Sequence, residues 1–290
     1  MTPDEDSMSG VSQKTRTATA HRRLPQREGI SARQFPPSGR KTVEGSEFVF
    51  GRDKEIAELG GRLSTRKSFV LHGPSGSGKT FLLHRVMQAF PEVLYCPEAT
   101  SPLLVFQSLA LGLLASRDRS VRRWLRNAQA VKRKSAVSLR GIVLQAIRDG
   151  NYFVVLDHLS GPASALSADT RDLMFYGDTP VVAVARSAHM EDLGFLAPFF
   201  ALRAERMTLR NFGHSEAMQF AEEVARRTCL EAVNLPEFLE RVVDLSQGAP
   251  GAIVRMLKMA VWPKYRVDGY VKVSPLYIDF RLAWHAENAL

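Results

Sequence analysis

Cysteine is nearly absent: Cys96 and Cys229 are the two in 290 residues. That excludes a disulfide framework and a four-cysteine zinc site. Neither lies in a C-x-x-C pair, so reduced thiols in a cytoplasmic protein are expected. Long apolar runs are equally scarce. The most apolar stretch, 103–115, is interrupted by Gln107 and Ser108 and falls short of the roughly 20 residues a membrane helix needs, so it reads as a buried helix and no membrane partner is expected. His72, His158, His189 and His214 stand at unrelated spacings and make no zinc set. What is plentiful is ordinary globular material, 45% hydrophobic and 24% charged, enough for a large core.

The formal net charge of +9 is unevenly spread. Residues 1–45 carry +3, residues 117–134 carry +7, and the remainder is close to neutral. Residues 1–45 mix Ser, Thr, Gln, Pro and Arg without an apolar period. Their acidic opening, Asp4, Glu5 and Asp6, does not suit a secretory signal, so a disordered basic tail is expected there.

From Glu47 onward, short β-branched runs alternate with helical stretches, the pattern of βα units around a parallel sheet. Strands are expected at 68–72, 93–97, 152–157, 180–185 and 206–209, with helices at 79–89, 102–116, 121–132, 138–149 and 168–175. After Asn211 the strand signal fades and helices follow at 215–227, capped by Ser215, then 236–246 and 250–261. The expected organisation is an α/β body over 46–212, a helical lid over 213–262 and a docking tail over 263–290. In that tail, 269–281 alternates like a strand.

Gly73-Pro74-Ser75-Gly76-Ser77-Gly78-Lys79-Thr80 matches G-x-x-x-x-G-K-[ST] in full, directly after an apolar strand and before a helix beginning near Phe81. Glycines let backbone N–H groups wrap phosphates at a helix N-terminus, where unpaired donors already favour an anion. Lys79 is expected to reach the β/γ-phosphates and Thr80 to ligate Mg²⁺. About 80 residues later an apolar strand ends in Asp157-His158, the Walker B pattern, which places a carboxylate where magnesium's water shell needs one. Many such ATPases have Glu after this Asp. His158 at that position can serve as a base near neutral pH or simply cap the strand.

With these motifs the chain resembles the AAA+ ATPases, in the branch shared by STAND signalling ATPases and origin-recognition-type proteins. The resemblance covers about 47–262 and implies a three-layer P-loop fold with a helical lid, ATP or ADP with Mg²⁺ as ligands, and a homo-oligomer or partner protein. The segment 48–59, with Gly51, Arg52 and Glu55, looks like the stretch that lines the adenine pocket in these families. Arg186, after Val181–Ala185, falls where STAND proteins carry the Arg of a Thr-Thr-Arg triplet, which implies a catalytic role. Gly248-Ala249-Pro250 resembles the lid's G-x-P motif, whose proline approaches the base and ribose. Val184 and Ala185 replace the usual polar sensor, and the nearest second-sensor arginine is Arg255, one turn late. Those departures favour a STAND-like site with slow turnover.

The basic segment offers Arg119, Arg122, Arg123, Arg126, Lys132, Arg133 and Lys134 as a nucleic-acid surface, with Trp124 for stacking. Initiator-type relatives can carry a DNA-touching helix at this place in the chain. The same segment also reads as a surface for a partner protein or other acidic surface, or as a solvated helix packed through Val121, Trp124, Leu125 and Ala128.

Overall fold

The computed structural model describes residues 50–159, 164–176 and 179–288. The tail 1–45, with Phe48 and Val49 of the adenine-pocket segment, lies outside them.

Five parallel strands, β1 (Phe69–His72), β2 (Val93–Cys96), β3 (Phe153–Leu159), β4 (Val181–Ala185) and β5 (Arg206–Thr208), lie in the order β2-β3-β4-β1-β5. Their β-branched side chains alternate between two cores. Val70, Val154, Leu156, Val181 and Ala183 face one side of the sheet, whereas Phe69, Leu71, Val155, Val182 and Val184 face the other. A strand buried on both faces needs an unbroken apolar run, which is what these segments supply. Helices α1 (Asp53–Ser64) and α2 (Lys79–Met87) contribute Leu59, Leu63 and Leu83 to the second face. The β2–β3 crossover holds α3 (Pro102–Ala115), α4 (Arg119–Trp124), α5 (Ala128–Lys132) and α6 (Ala136–Asp149), which cover the first face through Phe106, Leu139 and Val143. α7 (Ser164–Tyr176) precedes β4, and the short α8 (Met190–Leu193) follows it. The result is the expected three-layer α/β body.

The basic segment is two short helices rather than one spanning 121–132. Asp118 Oδ1 caps α4, accepting from the N–H groups of Ser120 (2.9 Å) and Val121 (3.1 Å). The chain then breaks at Leu125–Asn127, and Asn127 Oδ1 caps α5 by accepting from Ala130 N–H at 2.9 Å. The packing stripe is accordingly Val121, Leu125 and Val131. Trp124, expected in it, is 64% exposed, and Ala128 is also exposed.

The lid contains α9 (His214–Arg227), α10 (Leu235–Ser246) and α11 (Pro250–Ala260). Gly213 rather than Ser215 occupies the N-cap of α9, with its N–H donating to Glu216 Oε2 at 3.2 Å. The alternation at 269–281 resolves differently from a strand. A small hairpin, β6 (Arg266–Val267) with β7 (Tyr270–Val271), leads into α12 (Val273–Asn288), whose Leu276 and Phe280 are buried in the lid core. No helix among the described residues is long and apolar enough to cross a membrane.

Candidate nucleotide-binding site

Parallel strands present all their C-terminal ends at one edge, so the loop after β1, Asp157 in β3 and Arg186 after β4 meet there by topology. Gly73 starts the loop with no room for a side chain, since a Cβ there would sit 2.0 Å from the Leu209 carbonyl oxygen. Its N–H donates to Arg186 O at 3.1 Å, and Leu209 N–H donates to His72 O at 2.8 Å, which clamps the loop's base between β4 and the end of β5.

Lys79 opens α2 and folds back over the loop, with Nζ donating to the carbonyls of Gly73 (2.7 Å) and Pro74 (2.9 Å). Burial lowers its pKa to about 8; Asp157 opposes the shift and Arg186 adds to it. A cation whose hydrogen bonds go to neutral carbonyls beside a cleft is poised for an anionic ligand. Thr80 Oγ1 donates to Asp157 Oδ2 at 2.8 Å, tying the loop's helix to β3. This hydroxyl and carboxylate are hard oxygen donors of the kind Mg²⁺ takes, so the pair fits that ion.

Asp157 is buried and receives two further bonds, from Tyr95 OH to Oδ2 (2.8 Å) and from His158 N–H to Oδ1 (2.8 Å). Burial foremost, and then the neighbouring Asp157, push the Tyr95 phenol well above its usual pKa, so Tyr95 remains a donor. His158 sits at φ +52°, where the β3–β4 register shifts, with its ring largely exposed and Nε2 4.0 Å from Asp157 Oδ2.

Ser75, Gly76, Gly78, Lys79, Thr80, Phe81, Asp157, His158 and Arg186 all line one cleft of about 690 Å³. An adjoining cavity of about 420 Å³ lies between body and lid. Phe50, Phe212 and Phe220 form its aromatic wall, with ring centroids 5.3–6.2 Å apart, and Phe81, Pro250 and Val254 help close it. Its size and apolar walls suit a planar base. Arg52 is committed to the pocket's frame. It donates to Glu55 Oε1 (2.6 Å) and Arg210 O (2.7 Å) and lies 4.2 Å over the Phe212 ring. Gly51, at φ +61°, turns the chain beside that same ring. Ser77 Oγ is buried at the cavity's edge and, among the described residues, is one of three buried side-chain atoms left without a hydrogen-bond partner. The lid closes onto the loop through Gly251 N–H, which donates to Gly76 O at 2.8 Å.

Arg255 lines a separate cleft between α11 and α12, together with Lys258 and Asp279. The basic residues 117–134 belong to α4, α5 and their connections, apart from the cleft. Sequence reading missed Tyr95, Glu98, Thr100 and Trp284. The last three line the cleft with Lys79 and Asp157. Glu98 and Thr100 follow a parallel strand, and that position alone could have flagged them.

The sequence matches no family model and no curated protein. In structure it is similar to the Walker-type ATPase of Pyrococcus abyssi, with TM-score 0.58 and 14% identity over 83% of this chain and 75% of that one. It is also similar to the ORC2 protein of Aeropyrum pernix. The ADP form gives TM-score 0.52 and 16% identity, covering 85% and 69%. The ADPNP–ADP complexes give 0.50 and 17%, covering 88% and 72%. The fold is therefore a three-layer P-loop NTPase fold of the AAA+ type, with a five-stranded parallel sheet and a helical C-terminal region.

Proposed function

We propose that the chain is an AAA+ switch that binds ATP with Mg²⁺ between body and lid, hydrolyses it slowly, and regulates DNA or a DNA-processing partner. The observation that supports this reading best is the convergence of Lys79, Thr80 and Asp157 on one cleft, with an aromatic cavity beside it under the lid. Lys79 exchanges its carbonyl partners for phosphate oxygens, and the loop's N–H groups wrap the same phosphates. Thr80 and Asp157 would hold the metal, which would supply charge neutralisation on the phosphoryl group. Phe212, Phe220 and Pro250 hold the base. Arg186, at the cleft's β4 side, adds positive charge where negative charge develops.

Contact with DNA is carried by the exposed residues Arg119, Arg122, Arg123, Arg126, Lys132 and Arg133, with Lys134 beside them. Two solvent-facing helices carrying that charge, with an exposed Trp124 at the end of α4, suit a polyanion with stackable bases. A second reading is a STAND-like scaffold, homo-oligomeric or partner-bound, that holds nucleotide and turns over little. The largely exposed ring of His158 in the usual glutamate position favours it. ATPase rate and particle mass, measured with and without duplex DNA at low and moderate salt, separate the two. DNA-stimulated turnover supports the first, and co-purifying ADP with DNA-independent assembly supports the second.

A further inference from the structure

α12 carries Leu276, Phe280 and Trp284 at i, i+4 and i+8, the spacing of one helix face. Leu276 and Phe280 are sunk in the lid core, and the Phe280 ring passes the contact on to Trp284 at 5.3 Å between centroids. Trp284 packs at the edge of that core and reaches beyond it. Its indole lies on the middle of the P-loop, so that a Cβ added to Gly76 would stand 2.8 Å from Cη2 and 3.1 Å from Cζ2. Gly76 is held at φ +77°, and its carbonyl also accepts the Gly251 N–H. Two separate parts of the lid, the start of α11 and the far end of α12, thus grip one residue of the phosphate loop. The indole also lines the phosphate cleft with Lys79, Thr80 and Arg186, and it is not among the residues around the base cavity.

We propose that Trp284 is a nucleotide-site residue, an aromatic latch that shuts the lid on the P-loop and covers the phosphates of a bound nucleotide. The inference rests on the nucleotide reading above and adds what controls exchange. An indole at this place removes water from beside the phosphates, which strengthens their attraction to Lys79. Because the ring is fixed through Phe280 to the lid core, release of the phosphates requires the lid to lift. Trp284 therefore sets the dissociation rate more than the association rate.

The test is stopped-flow release of a fluorescent ADP analogue from the full chain, chased with excess ATP. Trp284→Ala is expected to release it about tenfold faster or more, with Trp284→Phe in between and association changed far less. The chain has three tryptophans, so in a Trp124→Phe/Trp262→Phe background Trp284 is the sole reporter, and its emission is expected to shift when Mg²⁺-ADP is added. If Trp284→Ala is poorly folded, the Phe variant and the emission shift decide. Wild-type release rates in both variants, or an emission unmoved by saturating nucleotide, would overturn the latch while leaving the site standing. Absence of nucleotide binding by the wild-type chain would overturn both.

Discussion

Lys79 shows how one side chain's surroundings set a measurable property. Its ammonium has lost water to burial and hydrogen-bonds to two carbonyls, and burial outweighs the opposing pull of Asp157, bringing its pKa to about 8 rather than the usual 10.5. A phosphate in the cleft restores the charge. Nucleotide affinity is therefore expected to hold up to about pH 8 and fall above it, with proton uptake on binding visible by calorimetry in buffers of different ionisation enthalpy. An affinity flat up to about pH 10 would contradict this account of the lysine. The sign for folding is the reverse: between 8 and 10.5 the unfolded chain holds the extra proton, so stability gains with pH there. For water activation, His158 and Glu98 are the two side chains at the cleft to compare. His158→Ala lowers turnover about 10²-fold if the imidazole is the base, and His158→Glu raises it if the site is otherwise competent. Glu98→Gln lowers turnover instead if the carboxylate does that work, and steady-state rates on the three variants assign the role. The motif residues were legible because the P-loop is contiguous and its chemistry fixes the residue types. Tyr95 was not, because its bond to Asp157 joins residues 62 apart and depends on the register of β2 against β3.

At the scale of elements, the buried strands announced themselves through unbroken β-branched runs, while the helices that departed from expectation did so through tertiary contacts. In 269–281 Val, Tyr and Ile alternate as in a strand, yet burial of Leu276 and Phe280 against the lid selects α12. Their i, i+4 spacing is the helical signal that the alternation masks. Phe280→Ala is expected to cost about 3–5 kcal/mol in chemical denaturation, as for other buried phenylalanines. The break between α4 and α5 was hidden because the apolar spacing runs through it, and Asn127 shows itself as a cap only once the chain has turned. Asp118 holds α4 in place. Burial works against its ionisation, but bonds from Ser120, from Tyr152 OH at 2.7 Å and from the Val121 N–H keep its carboxyl below the usual range. Its stabilising effect is therefore present above the ordinary aspartate pKa and lost as pH falls through the lowered one. Asp118→Ala is expected to cost about 0.5–2 kcal/mol near neutral pH, read as a lower Tm. The segment from α4 through α5 carries the nucleic-acid proposal. Replacing Arg122, Arg123 and Arg126 with Glu is expected to abolish DNA binding and flatten its dependence on log salt without changing ATP affinity. Wild-type DNA affinity in that triple variant would remove the surface from consideration.

The whole molecule is a body and a lid that meet over one loop. The α/β body supplies Lys79, Thr80, Asp157 and Arg186 along one edge of the sheet, the lid supplies Pro250 and Gly251, and α12 brings Trp284 to the same place. The central claim is that this junction binds nucleotide through the P-loop. The most direct measurement is equilibrium titration of the full chain with a fluorescent ATP analogue and Mg²⁺, on wild type and on Lys79→Ala. The account predicts a single saturable site, displaced by ATP and ADP. In Lys79→Ala it should be lost or weakened about 10²-fold, with an unchanged circular dichroism spectrum, because the substitution removes a charged contact without opening a core cavity. Wild-type affinity in the folded Lys79→Ala protein, or no saturable binding by the wild-type chain, would contradict it.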